Sequence, residues 1–173
     1  MILETDRLIL REYVEEDFDA LFEILSDTET MQHYPAPFDE DRTRNWINWN
    51  LDNYKKYGFG LWAVVLKETG EFIGDCGITI QDIDGEMLPE IGYHINKKYW
   101  RKGFAKEALQ LLTDYAFSVL HLRHLVADLT EDNIDSQRLF QSVGFVHTAT
   151  RKSWFLKENQ LIDNHIYQLI KSE

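Results

Sequence analysis

Residues 90–108 read EIGYHINKKYWRKGFAKEA, and this stretch is the most informative part of the 173-residue chain. Its pattern predicts a strand, a short basic loop and the start of a helix. Backbone N–H groups and the dipole at a helix N-terminus can hold an anion such as a phosphate. Arg101 and Lys102 add positive charge, and Gly103 lets backbone approach a ligand closely. The stretch therefore predicts a phosphate-binding loop, although the chain contains neither G-x-x-x-x-G-K-[ST] nor G-x-G-x-x-G.

The rest of the composition predicts one soluble globular domain covering residues 1–173. Hydrophobic residues make up 44% of the chain and charged residues 28%, which is ordinary for a globular protein. Cys76 is the single cysteine, which suits a reducing compartment, and we see no secretory signal and no membrane-spanning apolar run. We therefore expect a cytoplasmic protein with no membrane partner.

Charge and histidine spacing exclude two classes of function. The net charge of −12 repels nucleic acid, so no nucleic-acid partner is expected. The six histidines are scattered, without the spacing of metal ligands on one face, so no metal site is expected.

The periodicity of apolar residues predicts the element order β-α-α-β-β-β-α-β-α-β-β. A central strand–helix–strand unit between antiparallel hairpins gives an α/β fold with a mixed sheet. The predicted helices cover residues 15–25, about 39–57, 105–119 and a short segment that begins near Asn133. The predicted strands cover residues 7–11, 59–66, 72–80, 88–95, 124–129, 145–154 and 161–170. The last of these is expected at an exposed edge, where it could pair across a homodimer.

Four stretches, in order along the chain, resemble one known family. Residues 100–105, WRKGFA, are similar to the acetyl-CoA pyrophosphate loop of the GNAT N-acetyltransferases, [QR]-x-x-G-x-[GA], but Trp100 departs from its first position. Residues 5–11 (TDRLILR), 90–93 (EIGY) and 133–145 (N-x-x-S-x-x-L-F-x-x-x-G-F) resemble the RimJ/RimL-type branch, the ribosomal-protein N-terminal acetyltransferases. The resemblance implies a mixed, mostly antiparallel sheet flanked by helices, in which two central parallel strands splay apart.

The resemblance also implies acetyl-CoA as co-substrate and assigns residues to it. The strand backbone would run along the pantetheine arm, Asn133 would touch that arm, and the Ser136 hydroxyl would protonate the leaving thiolate. The structural alternative is equally physical: Asn133 would cap a helix and Ser136 would lie in its first turn. The strand positions are Tyr93, His94 and Ile95, and the pyrophosphate loop is Arg101, Lys102, Gly103, Phe104, Ala105 and Lys106.

A base is needed because an alkyl ammonium must lose its proton before it can attack. Glu90 lies on the strand that leads into the loop. Burial between Leu88 and Ile91 would raise its pKa toward a useful value. Glu90 and His94 alternate onto one face, where they could share a proton path. The alternative is a strand glutamate that is paired with a cation in the sheet.

The acceptor is expected to contact Glu90 and an extended, proline-containing loop that includes Tyr34 and Phe38. The sequence thus predicts direct attack on acetyl-CoA by a primary amine, either a protein N-terminal α-amine or a small amine. The alternative is a non-catalytic acyl-CoA-binding sensor or scaffold module, which would need the loop but no proton path.

Overall fold

The computed structural model describes residues 2–171 and contains four α-helices and eight β-strands in that range. The helices are α1 (Phe18–Leu25), α2 (Glu40–Tyr57), α3 (Phe104–Ser118) and α4 (Ile134–Ser142). The strands are β1 (Ile2–Glu4), β2 (Leu8–Arg11), β3 (Leu61–Leu66), β4 (Phe72–Ile83), β5 (Glu86–Ile95), β6 (His124–Thr130), β7 (Val146–Lys157) and β8 (Gln160–Ile170). The predicted order is therefore correct except that the short strand β1 precedes it.

The strands form one eight-stranded sheet in the order β1-β2-β3-β4-β5-β6-β8-β7. Neighbours β1–β2, β2–β3, β3–β4, β6–β8 and β7–β8 pair antiparallel, whereas β5 and β6 run parallel with Glu90 opposite Val126. This confirms the predicted mixed, mostly antiparallel sheet flanked by helices.

The strand order corrects the expected edge. Residues 161–170 lie in β8, which pairs with β6 on one side and with β7 on the other. On this side of the sheet the edge strand is β7, because the last hairpin folds back and inserts its second strand beside β6.

The chain divides into two compact units. The first combines the residues up to Thr79 with Gly92–Leu112. Its buried core includes Leu8 and Leu10 of β2, Leu21 of α1 and Trp62 of β3. The second combines Ile80–Ile91 with the residues from Thr113 onward, so the assignment of residues 1–173 to a single domain stays a prediction.

In the first unit, the ends of α2 are set by local chemistry. Asp39 precedes the helix, and its side-chain oxygen accepts a hydrogen bond from the Arg42 N–H at 2.8 Å. Gly58 ends the helix with a φ of 76°, a left-handed conformation that glycine adopts without steric cost. Asp39 is therefore the N-cap of α2, and Asp41 lies in the first turn of the helix.

In the second unit, a buried glutamine joins α4 to the sheet. Gln137 donates to the carbonyls of Thr130 and Glu131 and accepts a hydrogen bond from the Tyr167 hydroxyl at 3.2 Å. Gly144 follows α4 with a φ of 99°, a left-handed conformation that suits the C-terminus of a helix. The apolar core beside these contacts contains Ile83, Leu88, Val126 and Ile166.

Candidate active site

The loop between β5 and α3 has the strand–loop–helix geometry that the sequence predicts. Arg101 and Gly103 take left-handed φ values of 61° and 83°, which turn the chain into the helix. The Glu107 N–H donates to the Gly103 carbonyl at 3.0 Å and begins the helical ladder. The N–H groups of Phe104, Ala105 and Lys106 precede that bond, so the helix itself gives them no carbonyl partner.

An arginine from the start of the chain braces this loop. The Arg7 guanidinium donates to the Lys102 carbonyl at 3.0 Å and to the Glu107 carboxylate at 2.7 Å, and it lies 4.4 Å from the centre of the Phe104 ring. The Thr5 hydroxyl also donates to Glu107. Burial opposes ionisation of Glu107, but these hydrogen bonds outweigh it and hold the pKa of that carboxyl below its usual value. The opening Thr-Asp-Arg stretch is therefore part of the loop's support.

The cations near the loop fall into two groups. Lys97 and Lys98 are already paired, because Lys97 donates to Asp27 and Lys98 to Glu23, each at 2.7 Å. Within residues 2–171, three other cations have no carboxylate at ion-pairing distance and can meet an anion. They are Arg101, Lys102 and Lys106.

Trp100, where the loop departs from the family pattern, ties the loop to the end of β5. Its indole N–H donates to the Ile95 carbonyl at 2.6 Å. Ile95 is buried and Tyr93 is half-buried. A tryptophan at this position therefore gives the loop a fixed attachment to the strand.

His94 forms a buried pair with Asp75 of the neighbouring strand β4. Its Nδ1 lies 2.8 Å from Asp75 Oδ1, and its backbone N–H donates to the same oxygen at 3.0 Å. Asp75 Oδ2 accepts from the Tyr13 hydroxyl at 2.7 Å and from the Trp46 indole at 3.2 Å. Burial opposes ionisation of Asp75, yet the interaction with His94 and these hydrogen bonds leave its pKa below the ordinary value.

The predicted acceptor loop lies against this pair. The Tyr34 ring is 5.2 Å from the imidazole of His94, measured between centroids, and the Trp46 ring is 5.9 Å away at a steep angle. Phe38 packs edge-on against Trp46 at 5.5 Å. The structure thus brings Tyr34 and, through Trp46, Phe38 together with His94.

Glu90 lies in the second unit, within a cluster of charged side chains. It is half-buried; burial and the charge of Asp128 raise its pKa to about 8, and Arg151 offsets this in part. Asp128 accepts from Arg151 and from the Asn164 amide, each at 3.0 Å, and burial raises the pKa of Asp128. The buried environment that the sequence predicts for Glu90 is present. Within the described residues no cation lies at ion-pairing distance from Glu90; Arg151, whose charge acts on it, pairs with Asp128 and Asp84.

Asn133 and Ser136 stand at the start of α4. The Asn133 side-chain oxygen accepts the Ser136 N–H at 3.3 Å, so Asn133 is the N-cap of this helix. Ser136 is half-buried in its first turn. This is the capping arrangement that the sequence left open, and it does not test contact with a cofactor.

Sequence reasoning missed Asp75, Asp128 and Arg151. Asp75 had a usable signal, because it is the one carboxylate in the otherwise apolar run Phe72–Ile80. Asp128 stands likewise near the end of an apolar strand. Arg151 had none, because its contact with Asp128 spans 23 residues and depends on strand order.

Two further properties of residues 2–171 bear on other functions. These residues contain no group of three or more His, Cys, Asp or Glu side chains arranged to hold a metal ion. No helix among them has both the length and the apolar character needed to cross a membrane.

The mixed sheet and the loop that opens α3 agree with the fold that the resemblance to the GNAT family implies. Residues 7–146 match the family model described as the acetyltransferase (GNAT) domain. The chain therefore belongs to the GNAT acetyltransferase family, as its resemblance predicts.

Individual proteins agree with this assignment. The chain is 34% identical over 173 residues to the "uncharacterized N-acetyltransferase p20" of Bacillus licheniformis, covering 99% of this chain and 97% of p20. It is similar to a GNAT-family acetyltransferase structure from Bacillus anthracis, with 28% identity, a TM-score of 0.84 and 98% coverage of both chains. A structure of RimL, the ribosomal L7/L12 α-N-protein acetyltransferase, in complex with coenzyme A shares the fold at 18% identity, a TM-score of 0.84 and 98% coverage of both chains. The chain is thus an N-acetyltransferase.

Proposed function

We propose that this enzyme uses acetyl-CoA to acetylate a primary amine, which attacks the thioester directly in a ternary complex. The observation that carries the proposal is the loop before α3. There, amides outside the helical ladder and the unpaired cations Arg101, Lys102 and Lys106 fit a diphosphate. The complex of RimL with coenzyme A supports the same ligand for a protein of this fold.

The remaining cofactor contacts are proposed on the family resemblance. The backbone of Tyr93, His94 and Ile95 would follow the pantetheine arm, and amides on this strand would polarise the thioester carbonyl. Asn133 would contact the arm while it also caps α4. The Ser136 hydroxyl would donate a proton to the departing thiolate.

Glu90 is the proposed base for the acceptor ammonium. A carboxyl with a pKa of about 8 still holds its proton at neutral pH in most molecules, but it becomes a stronger base when it ionises. Ionised Glu90 would take one proton from the ammonium and leave a neutral amine with a free electron pair. The activity attributable to Glu90 should therefore rise with pH toward its pKa.

The acceptor is proposed to be a protein N-terminal α-amine or a small amine. RimL is named for its action on ribosomal L7/L12, and this favours the former. Tyr34 and Phe38 would form an aromatic wall on the acceptor side, with Tyr34 at 38% and Phe38 at 6% exposure. Glu90 would complete the contacts to the reacting nitrogen.

The test combines binding with turnover. Calorimetry should show that acetyl-CoA and coenzyme A bind, and a thiol assay should show release of coenzyme A with at least one class of amine. The amines to compare are peptides with a free N-terminus, polyamines, amino acids and aminoglycosides. Binding without turnover of any amine would favour the acyl-CoA sensor, and no binding at all would refute both.

Two variants sharpen that test. Glu90→Gln should lower kcat by about 10²–10⁴-fold and leave acetyl-CoA binding unchanged, because the change removes only a proton acceptor. The double variant Arg101→Ala/Lys102→Ala should weaken acetyl-CoA binding instead, because it removes two charges from the proposed diphosphate site. The matched control is Lys97→Ala, since Lys97 is already paired with Asp27.

The setting of the enzyme is also a proposal. We propose a cytoplasmic enzyme without nucleic-acid or metal partners. Its one cysteine, Cys76, is fully buried, and burial raises the pKa of its thiol.

A homodimer is also proposed. Sedimentation velocity over a range of concentrations would test it, and pairing of strands would have to use an edge of the sheet other than β8.

A further inference from the structure

In the Asp75–His94 pair, the second ring nitrogen of His94, Nε2, forms no hydrogen bond with any residue that the structure describes. His94 is only 6% exposed, and this nitrogen is buried. A buried polar atom without a partner costs about 1–3 kcal/mol, so proteins rarely keep one without a use. Holding β4 and β5 together therefore does not by itself account for this pair.

The hydrogen bonds assign the tautomer of the imidazole. Asp75 is a carboxylate whose two oxygens accept four hydrogen bonds, from Tyr13, Trp46 and the backbone and ring of His94. An ionised carboxylate can only accept, so the ring hydrogen lies on Nδ1, 2.8 Å from Asp75 Oδ1. Nε2 of the neutral ring then carries a lone pair and can take a proton.

The surroundings suit a proton acceptor. The rings of Tyr34 and Trp46 stand beside the imidazole, so water is largely excluded and the interaction with Asp75 is strengthened. Asp75 is itself fully buried and held in place by its four donors. It can therefore orient the ring and stabilise the imidazolium that forms when Nε2 takes a proton.

The reaction needs such a group, because an ammonium that becomes an amide loses two protons. Glu90 is proposed for the first, which leaves before the attack. When the nitrogen–carbon bond has formed, the nitrogen still carries a second proton and a positive charge. That proton must leave as the carbon–sulfur bond breaks and its electron pair moves to the sulfur.

We propose that His94 is a catalytic residue whose Nε2 accepts this second proton, with Asp75 as its positioning residue. This inference rests on the proposed function. The imidazolium forms beside the Asp75 carboxylate. The thiolate takes one proton, either from solvent or from the Ser136 hydroxyl, which then regains a proton from solvent. Glu90 and His94 later return their two protons to solvent. One acetyl group is transferred and one net proton is released from the ammonium.

Two variants test the assignment in the full-length enzyme, with the amine that the wild type acetylates. His94→Asn keeps an amide donor near the position of Nδ1, so the contact with Asp75 can persist while Nε2 is lost. Asp75→Asn keeps His94 but removes the carboxylate charge that would stabilise the imidazolium. Each variant should lower kcat by about 10²–10⁴-fold, with acetyl-CoA affinity within threefold of the wild type.

A purely structural pair predicts the opposite pattern, in which stability falls and kcat of the folded protein is kept. The matched control is Asp17→Asn, which weakens a different buried carboxylate pair of the first unit, that with Arg11, so kcat should change by less than about fivefold. For His94→Ala, added imidazole should restore part of kcat, which a structural role would not produce.

The outcomes distinguish a failure of the role proposed for His94 from a failure of the proposed function on which it rests. An active wild type together with a His94→Asn or Asp75→Asn variant that keeps kcat within threefold overturns the role of His94 alone. If either variant does not fold, the other decides. A wild type that binds coenzyme A but turns over no amine overturns the proposed function and the role of His94 with it.

Discussion

At the scale of single residues, the raised pKa of Glu90 predicts how stability depends on pH. Its pKa is about 8 in the folded chain and close to 4.3 when exposed in the unfolded chain. Between these values the folded state holds more protons, so the contribution of Glu90 to stability falls as pH rises through this window and is constant above it. Because Glu90 keeps some exposure, we expect the loss to be about 1–3 kcal/mol.

Glu90→Gln should remove that loss, since glutamine does not ionise. The free energy of unfolding of the variant, measured with urea at pH 5 and at pH 9, should gain about 1–3 kcal/mol relative to the wild type at the higher pH. Glu86→Gln is the matched control, because Glu86 lies exposed on the same strand. Equal pH dependence of the wild type and Glu90→Gln would show that Glu90 is not buried in the way described.

Residues also show how far sequence can predict a site. The pattern at Gly103 is local, so the loop and the start of α3 could be predicted together with the cations beside them. The Asp75–His94 pair joins residues 19 apart on neighbouring strands. Its formation depends on the register between β4 and β5, which neither strand encodes alone. For Glu90, apolar neighbours predicted burial, but its neighbour Asp128 comes from a separate strand, β6.

At the scale of elements, the turn before α3 depends on glycine. Gly103 has a left-handed φ of 83°, and an added Cβ would lie 3.4 Å from the Arg7 guanidinium. Gly103→Ala should therefore lower the free energy of unfolding by about 1–2 kcal/mol and weaken acetyl-CoA binding. Gly92→Ala is the control, because no left-handed φ is required there and its Cβ would meet nothing within 4 Å. Urea unfolding should show no loss for Gly92→Ala.

The cap of α2 gives a second test at this scale. Asp39→Ala removes the acceptor of the Arg42 N–H and should cost about 1 kcal/mol of unfolding free energy. Asp41→Ala changes a carboxylate within the first turn, where only the helix dipole is affected, and should cost about 0.3–0.5 kcal/mol. Thermal unfolding of both variants measures the difference. Equal losses would mean that the Asp39 side chain does not cap the helix.

Two features of the strands could not be predicted from the sequence. Hydrophobic alternation identified both strands of the last hairpin but did not show which one pairs with β6. Each alternates well, and the order depends on β8 meeting β6 from His124 to Thr130. β1 was missed because three residues are too few for a periodic pattern to stand out.

At the scale of the whole molecule, the charge predicts the response to salt. Acidic residues outnumber basic ones by 30 to 18, so the compact chain at pH 7 repels itself. Salt screens that repulsion over about 10 Å at 0.1 M. It also weakens exposed ion pairs such as Lys55–Asp52, but such pairs are worth only about 0–1 kcal/mol each.

Raising the NaCl concentration from 20 to about 300 mM should therefore raise the Tm at pH 7, because the screened net repulsion outweighs the weakened pairs. The same titration near pH 5 is the control: the isoelectric point is about 4.9, so little net repulsion remains there to be screened. Calorimetric melting curves at both pH values measure the effect. A Tm that rises equally at both would mean that salt acts through preferential exclusion from the surface and not through the net charge.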